Sequence, residues 1–107
     1  MVTQQTASPL ELDEEGFLKD PQRWSRELAL QLARRSGIGE LTPEHWAVLD
    51  ALRDFYFRNG APPSVRYACD VNHLDRHCMT QLFGTDLVQA WRIAGLPDPG
   101  EEAKAYL

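Results

Sequence analysis

Between residues 69 and 78 the chain gathers four side chains that can ligate a metal or handle sulfur: Cys69, His73, His77 and Cys78. Their spacings are four, four and one, with Asp70 and Asp75 interleaved. On a continuous helix, positions 69, 73 and 77 share one face, and a Cys/His set can bind zinc. The usual zinc-finger spacing is absent and Asp70-Val71-Asn72 interrupts the helical pattern, so metal binding is the weaker reading. A second chemistry needs only the thiols. Cys69 lies three residues after Arg66 and Cys78 follows His77, and positive neighbours lower a thiol pKa and favour the reactive thiolate. The opposing expectation is burial inside a helical domain, where free cysteine packs as a small apolar residue. Two cysteines are too few for a disulfide framework, which makes the cytoplasm the expected compartment.

His45 stands three positions after Thr42 at the start of a helical pattern, and polar contacts at that helix start are its expected role rather than acid–base work. No nucleophile–His–acid arrangement, glycine-rich phosphate loop or carboxylate pair stands out. On these residues the chain reads as no enzyme and calls for no cofactor.

The net charge of −5 is uneven: residues 1–50 hold nine acids and five bases, residues 51–92 four and five, and residues 93–107 three and one. An acidic total argues against strong sequence-blind binding to nucleic acid, which rests on neutralising phosphates. The middle is slightly basic, however. A helix, an Asn59-Gly60 turn with prolines, and a second helix over residues 52–74 are compatible with a helix-turn-helix. Arg53, Arg58, Arg66, Arg76 and His73 are then the candidate DNA contacts. Ordinary turns and surface arginines account for the same pattern.

These residues have to be positioned by a mainly helical chain. Leu10 and Leu12, an acidic turn, Gly16, then Phe17-Leu18 predict a short N-terminal β-hairpin. Asp20-Pro21 is a cap and first position for a helix carrying Trp24, Leu28 and Leu32, with Arg34 and Arg35 at its end and Gly37 as its stop. Thr42-Pro43-Glu44 opens a second helix through Trp46, Leu49, Leu52 or Arg53, and Tyr56, closed by Asn59-Gly60. Ser64 caps a third through Val65, Tyr67, Ala68 and Val71. A fourth runs roughly from Leu74 or Asp75 to Phe83, stopped by Gly84. Thr85 caps a fifth through Leu87, Val88, Trp91 and Ile93, ended by Gly95 and the prolines at 97 and 99. At 107 residues this is one domain. The first ten residues show no signal peptide, and no apolar run is long enough to span a membrane.

Several ordered motifs carry a family resemblance. Leu12-Asp13-Glu14-Glu15-Gly16-Phe17-Leu18, Leu41-Thr42-x-Glu44-His45-Trp46-x-Val48, Leu52-Arg53-x-Phe55-Tyr56, Gly60-x-Pro62-x-x-x-Arg66 and Gln89-Ala90-x-Arg92-Ile93-Ala94-Gly95-Leu96-Pro97-x-Pro99 resemble the DsrC/TusE family. The chain departs from the family in a shorter segment between Arg66 and Leu82, and in Phe83-Gly84-Thr85-Asp86 where members have Phe-Pro-x-Gly-Pro. The resemblance implies a small orthogonal helical bundle with a helix-turn-helix-like unit and an N-terminal hairpin. It divides the chain into a loose start over 1–8, the domain over 9–97 and an arm over 98–107.

The resemblance also implies sulfur carried on arm cysteines, one next to last and often a second eleven residues earlier. Here those slots hold Glu102 and Trp91, neither of which accepts sulfane sulfur. Trp91 reads as core or groove filling, with a partner-binding anchor as the functional alternative. Glu102 belongs to a short acidic end. The leading expectation is a non-catalytic, regulatory member of this sulfur-trafficking family. It binds a sulfite reductase, a sulfurtransferase or a sulfur-relay complex through Trp91, Arg92, Leu96, Pro97 and Glu102. The alternatives are a carrier using Cys69 or Cys78, and a sulfur-responsive DNA-binding regulator.

Overall fold

Capping residues set the helices, as their local chemistry dictates. In the computed structural model, which describes residues 12–61, 63–64, 66–84 and 88–100, Asp20 accepts from the backbone N–H of Gln22 at 3.0 Å. The turn it caps is a 3-10 helix of three residues, Pro21–Arg23, and no more. Trp24 then turns extended, and Ser25 starts α1, Arg26–Arg35, by accepting from Leu28 N–H at 3.1 Å. The single expected helix is therefore two elements. The reason is tertiary: the Trp24 indole N–H donates to the carbonyl of Ile93 at 2.9 Å, which a helical Trp24 would forgo.

α2, Pro43–Asn59, follows the expected bounds, with Thr42 as cap, Pro43 at its first position and Gly60 left-handed at φ 70° past its end. It buries His45, Val48, Leu49 and Leu52. Three short helices follow among the described residues: α3, Tyr67–Val71; α4, Cys78–Phe83; and α5, Val88–Ile93. The expected cap Thr85 lies outside the described residues, and Ser64 does not cap α3, whose cap position is Arg66 and carries no side-chain hydrogen bond. α2 packs on α3 and α5, α1 on α5, and α4 on α5. At the centre lie Trp91, Phe17, Leu18, Leu49, Ile93, Leu96, Val48 and Cys69, the largest fully buried side chains. No helix among the described residues is long and apolar enough to cross a membrane.

Two expectations are corrected. Among the described residues the hairpin reduces to one antiparallel bridge, Leu12 to Leu18. Asp13 explains the tightness: its carboxylate accepts from the N–H groups of Glu15 and Phe17 at 2.9 and 3.0 Å, so the chain folds round a side chain instead of extending a ladder. The helix-turn-helix also fails on length. α3 has five residues, about 7.5 Å of helix at 1.5 Å per residue, too short to lie along a DNA groove as a recognition helix.

Candidate functional site

The C-terminal segment is fixed by Trp91, Arg53 and Arg92. Trp91 is 1% exposed, and its indole N–H donates to the Pro97 carbonyl at 2.7 Å, folding residues 91–97 back on themselves. Gly95 is left-handed at φ 70°. Arg53 reaches in from α2, donating to the carbonyls of Ala94 at 2.8 Å and Pro21 at 2.9 Å. Its guanidinium lies 4.3 Å from the Trp24 ring centre and 5.0 Å from that of Phe57. Burial pushes this guanidinium below its ordinary pKa, and Asp50 opposes the shift. Arg92 ties the other side: it donates to the Glu15 carbonyl at 2.7 Å and to Gln89 Oε1 at 3.2 Å, and lies over Phe17.

The five partner-binding candidates thus divide. Trp91 and Leu96 face the core. Arg92 and Pro97 are half-buried at the surface, and Glu102 lies outside the described residues. The Trp91 ring meets that of Tyr56 edge-on, with 6.1 Å between centres.

The second cluster changes character. Cys69 and Cys78 form a disulfide across a separation of nine residues, with their Cα atoms 5.9 Å apart. This replaces the expectation of two unpaired buried thiols. In this state both sulfurs are bonded to each other, and no group of three metal-ligating side chains gathers among the described residues. Cys69, His73 and His77 do not share a helix face: α3 ends at Val71, and His73 takes a left-handed φ of 56°. Asn72 ends the helix there, donating through Nδ2 to the carbonyls of Ala68 at 2.9 Å and Ala47 at 3.2 Å. The interruption expected at Asp70-Val71-Asn72 is therefore found, with Asn72 as its agent.

His45 is a helix-cap residue. Its Nδ1 accepts from the Thr42 backbone N–H at 3.0 Å while Nε2–H donates to the Leu82 carbonyl at 2.8 Å, which fixes the tautomer. The DNA candidates differ in their surroundings. Arg53 points inward. Arg58 pairs with Asp54 at 2.7 Å, Arg76 lies against His77, and Arg66 is exposed beside α3.

A family model described as "DsrC like protein" matches residues 4–101. The chain belongs to the DsrC-like family. It is 34% identical over 105 residues to "Sulfurtransferase TusE" of Escherichia coli strain K12, covering 84% of this chain and 89% of that one. The same-named protein of Salmonella choleraesuis strain SC-B67 is 33% identical over 102 residues, with 81% and 86% covered. Among solved structures, the oxidized gamma-subunit of the dissimilatory sulfite reductase (DsrC) from Archaeoglobus fulgidus superposes with a TM-score of 0.72 at 37% identity, covering 85% of this chain and 90% of that one. One described as dissimilatory sulfite reductase I (DsrI) gives 0.77 at 32%, with 85% and 88% covered.

These relatives place the chain in a sulfur-relay family and overturn the expectation that it is no enzyme, since proteins 34% identical to it are named sulfurtransferases. The expectation failed because sulfur transfer needs one ionisable thiol, not the triads and phosphate loops whose absence suggested it.

Proposed function

We propose that this chain works in sulfur trafficking by docking on a protein partner, a sulfite reductase, a sulfurtransferase or a sulfur-relay complex, and regulating sulfur transfer there. Trp91 carries this reading. In the slot where the family resemblance expects a thiol stands a buried indole, bonded to Pro97 O at 2.7 Å, so this stretch holds the root of the arm against the domain. The docking surface is then Arg92, Pro97 and the arm beyond, with Trp91 and Leu96 as its buried support. A direct test measures binding of each purified partner class to the whole chain and to a chain ending at Gly100. At least one class should bind, and truncation should weaken it by roughly tenfold, the loss of one well-seated anchor. Failure of all three classes to bind would reject the reading.

A second reading starts from the cysteines themselves. Cys69 and Cys78 are the chain's two cysteines, so any sulfur this protein carries itself sits on one of them. Incubation of the reduced protein with a persulfidated sulfurtransferase should then add the mass of one sulfur to a peptide holding Cys69 or Cys78. No added sulfur on either peptide would end that reading.

A further inference from the structure

The Cys69–Cys78 bond joins the middle of α3 to the first residue of α4, and the two sulfurs are not equivalent. Cys69 is 0% exposed and Cys78 3%. Cys78 borders a cavity of about 110 Å³ that Glu44, Leu74, Asp75, Gln81 and Leu82 also line, whereas Cys69 does not reach it. An incoming nucleophile therefore meets Cys78 first.

The connection between the cysteines is held without the bond. Asn72 caps α3 through Ala68 and Ala47, Leu74 N–H donates to the Cys69 carbonyl at 2.9 Å, and Cys78 N–H donates to the Asp75 carbonyl at 2.9 Å. Asp75 Oδ1 also accepts from His77 N–H at 2.7 Å. None of these hydrogen bonds involves a sulfur, so the connection keeps anchors of its own that do not depend on the S–S bond.

We infer that Cys69–Cys78 is a reversible thiol–disulfide exchange site, with Cys78 the sulfur attacked, Cys69 the leaving and resolving thiol, and a dithiol on an uncharged or cationic carrier as its reductant. The incoming thiolate attacks Cys78 Sγ, a mixed disulfide forms, the Cys69–Cys78 bond breaks, and Cys69 departs as a thiolate that takes a proton from water. The second thiolate of the reductant then attacks its own sulfur in the mixed disulfide and releases Cys78, which is protonated in turn. Two electrons pass to the protein, and the reductant leaves as a disulfide. In reverse, the Cys69 thiolate attacks Cys78 of a mixed disulfide and expels the carrier thiol. The carrier's charge follows from Glu44 and Asp75, two exposed carboxylates at the opening that repel an anionic thiol. This inference does not rest on the docking surface, nor on whether sulfane sulfur is carried.

The test uses the full chain in native buffer. Dithiothreitol should open the bond, read as alkylation of both cysteines by mass spectrometry. Cys69→Ser and Cys78→Ser are then exposed to cystamine, which is cationic, and to oxidised glutathione, which is anionic. Cys78 in the first variant should form the mixed disulfide at least about tenfold faster than Cys69 in the second. Cystamine should outpace glutathione by a margin that shrinks as salt rises. Should either variant unfold by circular dichroism, acid-quenched mixed disulfides of the parent chain with cysteamine report which cysteine is attacked. A bond that opens only after denaturation, equal rates at both cysteines, or thiols that never pair under oxidant would each overturn the inference. None of these outcomes bears on partner binding, so the two proposals fail separately.

Discussion

The side chain of Trp24 lies directly on Gly95, joining the N-terminal turn to the end of α5. A Cβ built at 95 would overlap Cδ1, Cγ and Cβ of that tryptophan, and the backbone there is left-handed at φ 70°. Both the space and the conformation require glycine. Gly95→Ala should cost about 2–4 kcal/mol in urea unfolding, from strain plus overpacking. Gly37→Ala isolates the backbone part: its φ is 83° with nothing within 4 Å of the new Cβ, and about 1 kcal/mol is expected. Equal losses at the two positions would show that Trp24 does not press on Gly95.

Arg53 holds the same junction from the other side. Lysine cannot reach the Ala94 and Pro21 carbonyls at once or lay a flat guanidinium on Trp24. Arg53→Lys should therefore lower stability by about 1–3 kcal/mol. The sign of the pH effect follows from burial, which holds the folded guanidinium below its ordinary value. A base depressed in the folded state disfavours folding while charged, and that penalty is relieved only as pH rises toward the folded pKa. From roughly pH 5 to 9 both states keep Arg53 charged, so it adds no slope there. A difference between parent and Arg53→Lys that changes with pH across that window would contradict this.

The parts of the fold that depend on neighbouring residues were legible. Thr42, Pro43 and Gly60 bound α2 because a cap, a first-turn proline and a left-handed stop all act within a turn of themselves. Asp20-Pro21 misled for the complementary reason. The local turn forms, but Trp24 leaves it for partners near residue 95, and no local rule sees a contact at 69 residues' separation. At the cysteines the break at Asp70-Val71-Asn72 was legible in the residues, but the Cys69–Cys78 pairing was not, because it depends on how α3 and α4 meet. At the candidate site, the missing thiols at 91 and 102 were plain in the residue types. The burial of Trp91 against Pro97 depends on how the segment folds back, which residue type does not report.

His45 links α2 to α4 as well as capping α2. Glutamine is the ordinary third-position partner of a capping threonine, so His45→Gln should keep the bond to Thr42 and lose that to Leu82, with the edge contact to Phe83. His45→Ala loses all of them and leaves a buried gap. Losses of about 1 and about 3 kcal/mol are expected, measured by urea unfolding. An alanine variant no weaker than the glutamine one would mean the cap contributes nothing.

The disulfide closes a short loop, with Cys69 and Cys78 nine residues apart. The entropy removed from the unfolded chain by a loop of this size corresponds to about 2–3 kcal/mol. Cys69→Ala/Cys78→Ala should lose about that much and, unlike the parent, should show no further drop when dithiothreitol is added. The loss should concentrate in α4. Beyond Met79 and Phe83 in the core, α4 is joined to the rest chiefly by this bond and by His45 to Leu82. Amide exchange read by mass spectrometry should therefore speed up in residues 78–84 before it does in α2. If reduced parent protein, with both thiols verified by alkylation, unfolds at the same urea concentration as the oxidised form, the cross-link does not stabilise the fold. Its place beside the cavity would then be a matter of chemistry alone.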